Sequence, residues 1–222
     1  MADNSPPGAD QYFETIQPEW KKLNFTTEVI RLFWEFPDAD DITSVDPVLK
    51  ANADDRVSRQ LRFLRALNLI DESGSLKPNG VWLATIYQPP AQQPITSSGI
   101  SLERKDSLSD IEKQAFRGLL LGHHWLPMLA TAHQLSRERV PSVGGDKNHV
   151  ESFAKRLDHI DHYSALSPGA WETRAKVHYD WFHSIDFAHQ VEGVYSLTDD
   201  GHAFYEIVER YCPSEWDDFV PP

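Results

Sequence analysis

"RVSRQLRFLRALNLID", residues 56–71, sets arginines at 56, 59, 62 and 65, a strict three-residue spacing, in a chain of 222 residues with a formal charge of −13. The stretch lacks glycine and proline and is rich in leucine and arginine, both good helix formers, so a helix is predicted over 54–69. At about 100° per residue, Val57, Leu61 and Leu64 fall within about 60° of one another and form an apolar stripe. Arg59, Arg62 and Arg65 are expected on the opposite side, with Arg56 near the edge. None of the three has an acidic neighbour four residues on. Such a face is either solvated or offered to something negative.

The surrounding sequence repeats itself. At an offset of 118, "RFLRALNLI" (62–70) lies on "DWFHSIDFA" (180–188), pairing Phe63 with Trp181, Leu64 with Phe182, Leu67 with Ile185 and Leu69 with Phe187. At an offset of 121, "SLKPNGVWLATIY" (75–87) lies on "SLTDDGHAFYEIV" (196–208), pairing Gly80 with Gly201. The three-residue difference falls between the segments, where a hairpin tip absorbs length. The pattern implies an internal duplication of a helix, a turn, a short hairpin and a second helix. Helices are expected at 54–69 and 170–186, with closing helices from near 78 and 199. Leu61, Leu64 and Leu67 should be buried in the first copy, and Tyr179, Phe182 and Ile185 in the second.

This unit resembles the winged-helix variant of the helix-turn-helix. In many winged-helix regulators a helix ends at an apolar "LGLI/V"-like turn, and a two-stranded wing then runs into "LTxxG" before a closing helix. Tyr195-Ser196-Leu197-Thr198-Asp199-Asp200-Gly201 is similar to that ending. The first copy departs from it with Lys77-Pro78, although proline suits the first turn of a helix. The resemblance implies a mainly α fold with small β-wings: two winged helix-turn-helix domains in tandem, the second elaborated by an extra helical segment.

Composition divides the chain accordingly. Residues 1–19 read as a flexible acidic segment, 20–87 as the first domain, and 88–108 as a Pro/Gln/Ser-rich linker. Residues 109–212 read as the second domain with a long leading helix, 213–222 as an acidic tail, and 136–149 as a loop. Lys and Arg number 4 against 12 Asp and Glu in residues 1–55, and 5 against 14 in 151–222. Residues 56–90 reverse the balance, at 5 against 2, and 91–150 are near balance at 7 against 6. A field of this sign repels nucleic acid, so any DNA contact is local.

The resemblance turns the arginine face into a functional expectation, because the outer face of such a helix is the one offered to the major groove. Arginine both neutralises phosphate and reads guanine through paired hydrogen bonds. Arg56, Arg59, Arg62, Arg65 and Lys77 are therefore the expected contacts to double-stranded DNA, as in a transcriptional regulator or architectural factor. The second copy has Val177, Asp180 and His183 where the first has Arg59, Arg62 and Arg65. It reads as a scaffold for a protein partner or for self-association. The alternative is an acidic interaction subunit, similar to the kleisin-interacting tandem winged-helix subunits of chromosome-maintenance complexes or to winged-helix accessory proteins of phage defence. There the arginine face would meet an acidic protein.

Other chemistry is weaker. All ten histidines lie between 123 and 202, and "DHIDH" (158–162) has metal-ligand spacing without a supporting cysteine pair. His123 and His124 fall in an apolar helix and read as buried, hydrogen-bonded histidines. "GGDK" (144–147) lacks phosphate-loop spacing, and "PDADD" (37–41) lacks the strand and lysine of a nuclease. The lone Cys212, beside Pro213, is a poor nucleophile. No catalytic residue, metal or cofactor is expected. A single cysteine and no apolar leader fit a cytoplasmic protein, and "FRGLLLGHHWLPMLATA" is too interrupted to cross a membrane. The tail places Trp216 and Phe219 among acids, as a segment that docks on its own domain or on a basic groove.

Overall fold

The computed structural model describes residues 23–39, 42, 58–88, 107–137, 139–141 and 168–211. The segment 1–19, most of the 88–108 stretch, the 213–222 tail, "DHIDH", "GGDK" and Cys212 lie outside the described residues. The fold is mainly helical with one small antiparallel sheet. The chain divides into two compact units, at Leu119–Leu120.

The first unit holds α1 (Leu23–Glu35), α2 (Ser58–Ala66), α3 (Pro78–Thr85) and the start of α4 (Asp110–Arg137). In α1, Leu23, Val29, Ile30 and Leu32 are buried, and Pro37 stops the helix because it cannot continue the ladder. Gln60 on α2 donates to the Thr26 hydroxyl at 3.1 Å, joining α2 to α1 inside the core. α4 opens with Ser109, whose backbone N–H and hydroxyl each donate to Glu112 Oε2 at 2.7 Å. This is half of a capping box. The buried Glu112 also accepts from the Gln88 N–H at 3.4 Å, tying the end of the α3 segment to the start of α4.

The second unit holds the rest of α4, then β1 (Val140–Pro141), α5 (Pro168–Ser184), β2 (Ala188–Val191), β3 (Val194–Leu197) and α6 (Asp199–Tyr211). The sheet order is β1-β3-β2, with Ala188 opposite Leu197 and Val140 opposite Tyr195. The hairpin turns at Glu192 and Gly193, both at positive φ, the conformation that matches strand twist in a two-residue loop. β1 adds a third strand to a ribbon that is marginal alone. Its two residues end in proline and fall in the stretch read as a loop.

The two helix ends are built alike. After α2, Asn68 takes a left-handed conformation (φ 58°), its N–H bonds the Arg65 carbonyl, and the Leu69 N–H bonds the Leu64 carbonyl at 2.9 Å. After α5, Asp186 (φ 61°) bonds the His183 carbonyl, and the Phe187 N–H bonds the Phe182 carbonyl at 2.8 Å. Both are Schellman caps, with Asn and Asp, which tolerate this conformation, in the usual place of glycine. The Leu69 carbonyl then accepts from Lys77 N–H at 2.9 Å, and the Phe187 carbonyl from Thr198 N–H at 3.0 Å. Gly80 and Gly201 lie against these same two carbonyls, where any Cβ would overlap the oxygen.

The hairpins differ. The second is a four-residue ladder, whereas the two-stranded wing expected in the first unit is a single bridge, Ile70 to Leu76. The reason is local. Asp71 Oδ1 accepts from the Ser73 hydroxyl at 2.6 Å and the Ser75 N–H at 2.9 Å, closing the chain into a tight turn. These bonds hold the Asp71 carboxyl below its usual range, the Ser73 hydroxyl contributing most.

Replacing Gly80 or Gly201 with alanine is expected to destabilise by at least about 1–3 kcal/mol, as overpacking does. Gly118→Ala, with open space around it, should stabilise by about 0.5–1 kcal/mol. Leu64→Ala, at a fully buried site, should cost about 2–5 kcal/mol. Denaturant unfolding checks all four variants.

Candidate functional site

The core face of α2 consists of Gln60, Phe63 and Leu64, continued by Leu67, all within 1% of full burial. This corrects the predicted stripe. Leu61 is only half-buried, and the buried face is turned by about 80° from the Val57–Leu61–Leu64 direction, given the helical rotation of about 100° per residue. Phe63 decides the rotation. It is the bulkiest apolar side chain of the helix, and its counterpart Trp181 is buried in the same way. Leu67, Tyr179, Phe182 and Ile185 are buried as expected.

With the core face so placed, Arg62 and Arg65 share the outward face of α2. Arg62 is exposed. Arg65 is folded down onto the turn that follows. Its Nε donates to the Asp71 carbonyl at 3.3 Å and its Nη2 to the Glu72 carbonyl at 3.2 Å, with the Glu72 carboxylate 3.5 Å away. The carboxylate contact is open to water and contributes at most about 1 kcal/mol. The two carbonyl bonds fix where the turn sits. Lys77 is half-buried at the N-cap of α3, and its side chain makes no capping bond. Arg59 lies in α2, but its side chain is outside the described residues, as is Arg56 altogether.

The second unit uses the same positions differently. Asp180, in the place of Arg62, accepts from Lys176 Nζ at 2.7 Å and from the Tyr195 hydroxyl on β3. His183, in the place of Arg65, has Nδ1 3.3 Å from the Ala188 carbonyl. Position 65 and its counterpart 183 thus both reach a carbonyl at the start of the hairpin. At position 62 and its counterpart 180, the first unit points a cation at solvent and the second binds its own sheet. Burial, reinforced by the Asp180 hydrogen bond, pushes the Tyr195 hydroxyl above its ordinary value.

Other polar side chains pair inside each unit. Tyr179 donates to Gln134 Oε1, and His133 Nδ1 lies 2.9 Å from the Tyr205 hydroxyl. His123 is half-buried, and the side chain of His124 is outside the described residues. In the first unit the Arg31 guanidinium lies 5.2 Å from the centre of the Tyr87 ring, and burial pushes the Tyr87 hydroxyl up to about 12. Among the described residues no cluster of three His, Cys, Asp or Glu is arranged to hold a metal, and no helix is long and apolar enough to cross a membrane.

Sequence reasoning missed the downward turn of Arg65 and the Asp180–Tyr195 bond. Asp71-Glu72 immediately after the helix was the available signal for the first. Nothing local marks the second. Comparison with protein-family models, with curated proteins and with solved structures returns no match.

The Tyr87 and Tyr195 hydroxyls, both shielded from water, stay neutral in the fold beyond the pH at which an unfolded tyrosine ionises, about 10. Their contribution is therefore complete below that pH and is lost as pH rises through the folded values. Unfolding free energy should fall as pH climbs from about 10 towards about 12, and the fall should be shallower in Tyr87→Phe and in Tyr195→Phe. Denaturant titrations across the alkaline range give the slopes.

Proposed function

We propose that the chain is a non-enzymatic DNA-binding protein, a transcriptional regulator or architectural factor, built from two winged helix-turn-helix units in tandem. The first unit meets double-stranded DNA through the outer face of α2. The observation that carries this reading is the divergence of one position on two similarly built helix ends: Arg62 exposed in the first, Asp180 bonded to its own sheet in the second. Arg65 supports it in a different way from the one expected. Bonded to the carbonyls of Asp71 and Glu72, it sets the turn beside α2, so the helix and the short wing are presented together. Lys77, at the start of α3, adds charge beside them. Arg56 and Arg59 add positive charge to the same stretch of sequence.

The second unit, with its outer face engaged internally, serves a protein partner or self-association. The single cysteine favours a reducing, cytoplasmic compartment. A second reading has one specific observation behind it. The Glu72 carboxylate 3.5 Å from Arg65 supports it, because an acidic partner in a multiprotein DNA-processing, chromosome-maintenance or phage-defence complex would offer the same group.

Fluorescence anisotropy on genomic fragments from around the gene, titrated at several salt concentrations, separates the two. Arg62→Ala should weaken specific binding by about 1–3 kcal/mol and relax preference at one base position. Arg59, Arg62 and Arg65 all changed to alanine should lower the salt slope by about one unit per lost phosphate contact. Asp180→Ala should leave DNA affinity unchanged. Absence of binding at low salt, or equal binding by the triple variant, would sink the DNA reading in favour of an acidic protein partner.

A further inference from the structure

We propose that the outer face of the three-stranded sheet in the second unit is a docking surface for an acidic, leucine-bearing segment of a partner protein. The proposal rests on the reading of that unit as the one that meets a partner. Register decides which side chains share this face, because residues directly opposite in an antiparallel pair point the same way. Val194 on β3 stands opposite Val191 on β2 and Pro141 on β1, so the three form one row across the sheet. At about 4.8 Å between strands, the row is about 10 Å long. The alternate residues face the core: Val140 opposite Tyr195 and Ala188 opposite Leu197, all four buried. The outer row is open to water, with Val191 60% exposed, Pro141 exposed and Val194 half-buried. An antiparallel sheet with one solvated face ordinarily sets polar residues there, and here an apolar row stands in their place.

A polar row runs beside it on the same face. Ser196 stands opposite His189, with its hydroxyl 2.8 Å from the imidazole Nε2. Arg139, exposed and directly before β1, falls on the outer face by strand alternation and beside Ser196 by the register of β1. Charge decides the occupant. A guanidinium pairs a carboxylate through two parallel hydrogen bonds, and the neighbouring hydroxyl and imidazole add polar partners. Among residues 139–141 and 188–197 the one carboxylate is Glu192, in the turn beyond the apolar row. A second copy of this face therefore has little to offer Arg139, and a phosphate backbone would leave the apolar row uncovered. A segment with leucines over Pro141, Val194 and Val191 and a carboxylate at Arg139 matches both rows.

The test is calorimetry on the full chain with a short peptide in which each leucine is followed by an aspartate. It should bind, and versions with asparagine for aspartate or serine for leucine should bind at least about tenfold more weakly, each lacking what one row requires. Val191→Thr keeps the branched shape and the strand, and should weaken binding by about fourfold, as loss of one buried methyl does. Arg139→Glu, at an exposed position, should weaken it by more than about tenfold. The matched changes Ile207→Thr and Arg210→Glu, at exposed sites on α6, should alter it by less than about twofold. Failure of the aspartate peptide to bind, or equal binding by the Val191 and Arg139 variants, would overturn this surface while leaving the second unit free to meet a partner elsewhere. Equal loss from the α6 changes would do the same. Sedimentation showing a dimer that dissociates in Val191→Thr would also overturn it, since the occupant would then be a second copy of the chain. Loss of DNA affinity in Arg139→Glu would instead undo the reading of the second unit as the partner-binding one, and the proposal with it.

Discussion

The carbonyl oxygen of Leu69, and that of Phe187 in the second unit, is the point through which each helix pair is joined. Each oxygen lies just past a left-handed residue, accepts one amide from the start of the closing helix, and has a glycine of that helix pressed against it. Together these contacts fix the end of the first helix, the start of the next and their closest approach. A left-handed residue turns the chain, the amide sets the distance and the glycine allows it. The apolar residues that follow are buried because this junction faces them inward. Leu64, Leu67 and Leu69 in the first unit have counterparts in Phe182, Ile185 and Phe187, and all six are buried. Two of the three leucines are exchanged for phenylalanine rings and the third for isoleucine, while the cap hydrogen bonds stay the same.

This explains which parts of the structure were legible. The pairing of Gly80 with Gly201 and of Leu69 with Phe187 stood out in the sequence because backbone geometry admits few substitutes there. The closing helices begin at Pro78 and Asp199, where the repeat places them. The face of α2 was less legible. Val57, Leu61 and Leu64 make an acceptable stripe on their own, but burying Phe63 and bonding Gln60 to Thr26 is the better solution, and the Thr26 partner lies 34 residues away. β1 was invisible for a related reason: two residues ending in proline carry no strand signal until β3 lies beside them. In the candidate interface, the exposure of Arg62 followed from its position, whereas the attachment of Arg65 depended on the turn that Asp71 closes.

The outer positions obey different rules from the inner ones. Arg65 and His183 share little except a nitrogen that reaches a backbone carbonyl, and that shared reach holds each hairpin to its helix. Arg62 is exposed, whereas Asp180 accepts from two side chains, Lys176 and Tyr195. Charge on the outer face is thus free to diverge while the joint beneath it is not. A basic face on one unit and an internally bonded one on the other follow from that freedom. A chain of net charge −13 keeps a positive surface only where local sequence concentrates it.

The same joint bears on how quickly each unit acquires its shape. Leu69 meets Lys77 and Gly80 at separations of 8 and 11 residues, and Phe187 meets Thr198 and Gly201 at 11 and 14. Closing a loop of about ten residues takes on the order of 10–100 ns, far faster than bringing remote segments together. Contacts so local cost little chain entropy before they form. Each joint is therefore the least costly contact of its unit to close, whereas the partners α1 and β1 lie farther away in sequence.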